Sequence, residues 1–229
     1  MSTGATRTRR AATPATSDRR VPGAAVIRQV AGILLAAGSS TRMGRPKATL
    51  AWETDTFVAS ELRAMRRAAL SPLVLVCGVH EAETRDALPE DVEVALVRNP
   101  DPRRGQLSSL KVALRALGRS HVEGALVALV DHPAVRADTL ARLRDAVRID
   151  RIAVPMHHGR RGHPVVFGRA LFAELLSTPD AAGARRVVRR APGRVDALEL
   201  EDSGVLLDID TPEDLERLGG RISPGGARR

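Results

Sequence analysis

Residues 32–47 read GILLAAGSSTRMGRPK. The apolar run Val30–Ala36 feeds a loop holding Gly38, Gly44 and several small residues, with Arg42 and Lys47 among its cations. A run that is apolar at successive rather than alternate positions predicts a strand covered on both faces, as in a parallel sheet. Outward from it, short Val- and Leu-rich runs alternate with stretches of helical period. The predicted strands are Val30–Ala36, Leu73–Cys77, Val92–Val97, Ala125–Val130, Ile152–Pro155, Pro164–Phe167 and Val205–Ile209. Leu107, Leu110, Leu114 and Leu117 recur on one helical face, as do Leu140, Leu143 and Val147. A last helix announces itself with Thr211 as N-cap, Pro212 at its first position and Asp214 three residues after the cap, which turns Leu215 and Leu218 inward. The pattern is that of βαβ units: one α/β domain over residues 30–220, with a mainly parallel sheet.

Charge and composition narrow the partners. The chain has 229 residues and a formal charge of +9, but residues 1–29 carry six Arg against one Asp and residues 221–229 carry three Arg, leaving about +1 for the body. A nearly neutral body with four aromatic residues and no Tyr offers no platform for stacking bases, so nucleic acid is not an expected partner. The stretch 1–29 reads as a disordered basic tail, although organelle transit peptides share its Arg, Ser and Ala bias, and 221–229 as a second tail. No apolar run reaches the roughly 18 residues of a membrane span. The one cysteine, Cys77, cannot form an internal disulfide and reads as a small core residue, so the expected compartment is cytoplasmic.

The glycine-rich loop is where chemistry is expected. Small residues let backbone N–H groups approach an anion, Arg presents a fork for two oxygens, and Lys supplies a compact charge for a phosphoryl group. No Gly-Lys-Ser/Thr follows and G-x-G is absent, so neither the P-loop nor the dinucleotide fingerprint is present. By itself the loop could equally be a solvated connection.

The string LAAGSSTRMGRPK (35–47) resembles the signature of the MobA-like nucleotidyltransferases, and within them the molybdenum cofactor cytidylyltransferases. The resemblance continues through NPDPRRGQLSSL (99–110), LVDHP (129–133), GRRGHPVVF (159–167), GAR (183–185) and LLDIDTPEDL (206–215). It implies a Rossmann-like three-layer α/β/α fold of the nucleotide-diphospho-sugar transferase type. It also implies transfer of a nucleoside monophosphate from an NTP to a phosphate group, with release of pyrophosphate. Ala36-Ala37-Gly38, in place of an Ala-Gly-Gly-type start, resembles the cytidylyl branch. AWETDTF (51–57) departs from the family, which usually has a glycine-bearing turn there.

On this resemblance Leu35, Ala36, Ala37, Gly38, Ser39, Arg42, Gly44 and Lys47 are the expected nucleotide-binding residues, and Arg42, Lys47 and Asp131 the expected catalytic ones. Gly105, Gln106 and Ser108 open a predicted helix and are read either as further nucleotide-binding residues, through backbone N–H groups that meet a base or ribose, or as ordinary N-capping of that helix. A triphosphate needs a divalent cation and hard oxygen ligands. Asp131 and Asp210 follow predicted strands, where ligands of open α/β sheets bind, and they match the aspartates that hold Mg²⁺ in the family. Either could instead serve a turn or helix start. Asp208 should share a strand face with Asp210 but sit deeper. HHGRRGH (157–163) is rich in cations. His157, His158 and His163 lack the cysteines and spacing of a standard zinc site, whereas Arg161, Gly162 and His163 resemble the segment that takes the pterin, with Arg161 and His163 on its phosphate. The expected substrates are therefore CTP and molybdopterin, with Mg²⁺ as cofactor and transient contact with a molybdenum enzyme or its chaperone. A sugar phosphate acceptor, use of GTP, or a non-catalytic nucleotide-binding module are the alternatives.

Overall fold

A computed structural model describes residues 29–38, 43–190 and 192–219. The basic tails, Ser39 and Arg42 lie outside the described residues. Ten strands and seven α-helices are formed among those described. The strands are β1 (Val30–Ala36), β2 (Ala51–Trp52), β3 (Asp55–Thr56), β4 (Leu73–Cys77), β5 (Ala95–Arg98), β6 (Gly124–Leu129), β7 (Ile152–His157), β8 (Arg160–Arg161), β9 (Val165–Gly168) and β10 (Val195–Glu199). The helices are α1 (Phe57–Arg67), α2 (Glu81–Asp86), α3 (Gln106–Leu117), α4 (Ala137–Asp145), α5 (Phe172–Ser177), α6 (Arg185–Arg190) and α7 (Pro212–Arg217).

Eight strands make one sheet in the order β10-β7-β9-β6-β1-β4-β5, with β8 added on β7. β5, β4, β1 and β6 run parallel, β9 runs antiparallel between β6 and β7, and β10 is parallel to β7. Alternation along β1 divides the core. Val30 and Leu34 join the side chains of α1 and α4, whereas Ala31, Ile33 and Leu35 meet Leu107, Leu110, Leu114 and Leu117 of α3. Helices therefore cover both faces, giving three layers.

Three differences from the sequence reading have physical causes. Val205–Ile209 is not a strand: Ser203–Leu206 forms a 3₁₀ turn. Buried Asp202 organises it, accepting from Gly204 N through one oxygen and from Arg136 N and Thr139 Oγ1 through the other. These local bonds outcompete a sheet ladder, and Asp208 consequently lies exposed rather than deep. β10 carries the edge position instead, with half-buried and exposed residues whose hydrophobic signal is weak. At 51–56, where the sequence departs from the family's glycine-bearing turn, the chain forms a two-stranded hairpin in which Glu53 adopts φ 53°. Thr56 then caps α1 by accepting from Ala59 N at 3.3 Å. The α7 start has the predicted capping box between Thr211 and Asp214.

Candidate active site

The loops at the carboxyl ends of β1 and β6 open onto a cleft of about 430 Å³. Leu35, Ala36, Ala37 and Gly38 line it from β1, Leu129, Val130 and Asp131 from β6, and Gly105, Gln106 and Ser109 from the start of α3, with Met43, Lys47, Pro102 and Asp210 completing the wall. At its centre Lys47 Nζ donates to Asp131 Oδ2 at 3.2 Å and to Asp210 Oδ1 at 2.5 Å. The three side chains come from positions 84 and 163 residues apart along the chain. Asp131 is carried past the end of β6, and Asp210 reaches it because Ile209 N donates to Asp131 O at 2.8 Å. Asp210 thus arrives on a coil segment hydrogen-bonded to the β6 loop, not on the strand end expected from the sequence.

The α3 end of the cleft is held from below. Gly105, at φ 96°, takes a left-handed conformation that side chains disfavour and turns the chain into the helix. Buried Asn99 donates through Nδ2 to Ser108 Oγ at 2.8 Å and to Ser109 Oγ at 2.9 Å. Ser108 Oγ also donates to Gly105 O at 2.7 Å, so its hydroxyl is engaged in building the turn and Ser109, not Ser108, faces the cleft. Gly44 likewise lies outside the lining. The helix N-terminus presents its positive dipole end to this space, a setting for anionic oxygens.

A second pocket of about 390 Å³ adjoins the first, sharing Leu35, Gln106 and Leu129 as walls. Arg161, Gly162 and His163 line it together with Arg185 and Arg189 of α6. Leu110, Val127, Val154, Val165, Phe167 and Val188 give it an apolar floor. Gly162 permits the arrangement by close approach: a Cβ there would meet the Val205 backbone, with the carbonyl carbon at 2.7 Å. Three arginines with no acidic residue among the lining side chains make the pocket a receptor for an anion attached to an apolar or ring-shaped body. The sequence reading gives Arg185 no role beyond its place in GAR (183–185) and passes over Arg189, one helical turn on; the i, i+4 spacing of cations around Val188 was the available signal. His157 and His158 lie elsewhere, their rings 4.1 Å apart and tilted at 53°, with His157 Nδ1 2.9 Å from Leu200 O.

Burial tunes the histidines between the two pockets. His163 has its pKa lowered to about 4, first by burial and then by neighbouring His132, and burial lowers His132 as well. Cys77 Sγ lies 3.4 Å from Val97 O, and burial pushes its thiol upward, as suits a core residue and not a nucleophile.

A divalent cation would find suitable ligands here. Two carboxylates already converge on one ammonium, and Asp131 Oδ1 is buried with no hydrogen-bond partner among the described residues. Hard oxygen donors of this kind, few in number, suit Mg²⁺, which keeps water and phosphate oxygens in its shell.

The profile of the MobA-like NTP transferase domain matches residues 32–195. The chain belongs to that family. The molybdenum cofactor cytidylyltransferase of Escherichia coli strain K12 is 28% identical over 182 residues, 80% of this chain and 91% of that protein. The nicotine blue oxidoreductase of Paenarthrobacter nicotinovorans is 34% identical over 199 residues, 82% and 96% of the two chains. The molybdenum cofactor guanylyltransferase of Rhizobium johnstonii is 32% identical over 199 residues, 81% and 90% of the two chains. Among solved structures, Rv0371c of Mycobacterium tuberculosis H37Rv superposes with a TM-score of 0.72 at 32% identity, covering 83% of this chain and 97% of that one. The chain is therefore an enzyme of the NTP-transferase class with a nucleotidyltransferase fold. Among the described residues no helix is long and apolar enough to cross a membrane.

Proposed function

We propose that the protein transfers CMP from CTP to the terminal phosphate of molybdopterin, releasing pyrophosphate with Mg²⁺ as the required metal. The observation that carries this reading is the shared wall of the two pockets. One is built around Lys47 and two carboxylates, and its neighbour combines arginines with an apolar floor, so a nucleotide and a phosphorylated ring system can lie side by side. Ala37, which lines the cleft, stands where the Ala-Gly-Gly-type start has glycine, and this supports cytidylyl over guanylyl transfer.

In this reading Asp131 and Asp210 hold Mg²⁺, which when bound screens the charge of the triphosphate. Lys47 stabilises negative charge on the phosphates, Arg42 adds a second cation, and the backbone of Leu35–Gly38 with the α3 N-terminus cradles the nucleotide. Gly44 and Ser108 then have supporting places around that cradle. Arg161 and His163, joined by Arg185 and Arg189, hold the acceptor so that its terminal phosphate oxygen faces the α-phosphorus. A bond forms between that oxygen and the α-phosphorus, the bond to the β-phosphate bridging oxygen breaks, and pyrophosphate takes the electron pair. The attacking phosphate is already ionised at pH 7, so no side chain is needed as a base. Contact with a molybdenum enzyme or its chaperone would follow from handing over a product of this kind.

Pyrophosphate release measured with each of the four ribonucleoside triphosphates, with and without molybdopterin, tests the proposal. Release should require both CTP and molybdopterin. Preference for GTP would overturn the base assignment, and release with a sugar phosphate alone would overturn the acceptor.

A further inference from the structure

Behind the metal-binding strand end lies a space of about 10 Å³, bounded by Glu61, Leu129, His132, His163 and Pro164. Glu61 sits on the inward face of α1, 7% exposed, flanked by buried Val58, Leu62 and Met65. A carboxyl group in such a position is costly unless something hydrogen-bonds it. Yet Glu61 Oε1, His132 Nδ1 and His163 Nδ1 are all buried without a hydrogen-bond partner among the described residues. Three unpartnered polar atoms around one space of the size of a single solvent molecule meet the usual conditions for a structural water: room for one, and about three partners.

We propose that this space is a single-water site and that Glu61, acting through the water, is a positioning residue for His132 and His163. A water has two donors and two acceptors, enough to serve a carboxyl oxygen and two imidazole nitrogens together. Burial, and then the negative charge of Asp131, pushes the Glu61 carboxyl well above the usual carboxylate range. The two histidines face different parts of the reaction. His132 Nε2 is 3.9 Å from Asp131 Oδ1, whereas His163 lines the arginine-rich pocket. Their rings lie 5.2 Å apart at 44°. One water bonded to both rings would hold the imidazole beside Asp131 in a set position relative to the imidazole that lines the arginine-rich pocket. The role of Glu61 rests on the nucleotidyltransferase reading; the water does not.

The test uses the full chain. A high-resolution crystal structure should show a solvent peak within hydrogen-bond distance of all three atoms; a protein side chain filling the space would overturn the site. Mn²⁺ binding to the CTP-bound chain, read by electron paramagnetic resonance, should weaken about tenfold in Glu61→Leu and be largely restored in Glu61→Gln, which keeps a hydrogen-bonding head group. Glu61→Leu should fold, since it replaces a buried acid by an apolar residue of similar size, and its KM for CTP should change less than its acceptor KM. Unaltered Mn²⁺ affinity in folded Glu61→Leu would overturn the positioning role. A solvent peak with the Mn²⁺ effect, in a chain that turns over no nucleotide, would support this inference and reject the proposed reaction.

Discussion

Gly162→Ala is the substitution that the packing of the arginine-rich pocket forbids most clearly. Gly162 N donates to Pro155 O at 2.9 Å and His163 N to Val205 O at 2.8 Å, which pins the Arg161–His163 segment onto the Ser203–Leu206 turn. An added methyl would sit 2.7 Å from the Val205 carbonyl carbon and 2.9 Å from Val205 Cβ, closer still to the carbonyl oxygen. Ordinary carbon contacts need about 3.5 Å or more, so the segment must move by roughly 1 Å. The neighbours are backbone, not a flexible side chain, and an overpacking cost of about 1–3 kcal/mol follows. Functionally, a shift of about 1 Å in groups that orient a reactant costs on the order of 10²-fold in rate. Urea unfolding measures the first quantity, and pyrophosphate release at varied CTP and varied acceptor measures the second. The loss should fall on the acceptor side, with CTP affinity little changed. Wild-type stability together with a wild-type acceptor KM would show that this close approach does not shape the pocket.

Three further outcomes follow from particular residues. His163 resists protonation until about pH 4 in the folded chain, whereas an unfolded histidine takes its proton near 6.5. The folded state binds fewer protons between these values, so this contribution to stability is complete above pH 6.5 and disappears as the pH falls to about 4. It amounts to about 3 kcal/mol at most, and denaturant midpoints measured from pH 7 to 4 should fall more steeply in wild type than in His163→Gln; parallel curves would contradict the burial argument. Arg161→Ala should raise the acceptor KM about 10- to 100-fold through loss of a charge-assisted bond, and a change confined to CTP would remove Arg161 from the acceptor pocket. Glu53→Gly should raise the unfolding midpoint, since a left-handed Glu costs roughly 1–2 kcal/mol and the extra unfolded entropy of glycine offsets part of it; a lower midpoint would show that the Glu side chain contributes contacts to the hairpin.

The sequence was most legible where one residue's neighbours in the chain decide its structure. β1, the α3 stripe and the Thr211 capping box are local patterns, and all three have their predicted places. It was least legible where a distant group intervenes. Asp202 turns an apolar run that reads as a strand into a 3₁₀ turn by bonding Arg136 and Thr139, some 65 residues earlier in sequence. Asn99 donates to both Ser108 and Ser109, and only the further bond from Ser108 to Gly105 O engages Ser108 in the turn and leaves Ser109 on the cleft, which no periodicity shows. β10 escaped notice because an edge strand with Asp196 paired to Arg151 is polar on its own terms. For the site, motif order named Lys47, Asp131 and Asp210 separately, but only the fold shows the ammonium between the two carboxylates. Arg185, quoted only as part of GAR (183–185), and Arg189 lie in a run of cations whose helical face becomes visible only against the sheet.

The most direct measurement is Mg²⁺-dependent pyrophosphate release from CTP in the presence of molybdopterin, compared between wild type and Lys47→Ala, with Asp131→Asn titrated against Mg²⁺. Wild type should turn over, Lys47→Ala should lose on the order of 10²- to 10³-fold in kcat while remaining folded, and Asp131→Asn should require far more Mg²⁺. Near-normal turnover by Lys47→Ala, with an unshifted Mg²⁺ titration for Asp131→Asn, would contradict the assignment of this cleft as the place where the nucleotide is split.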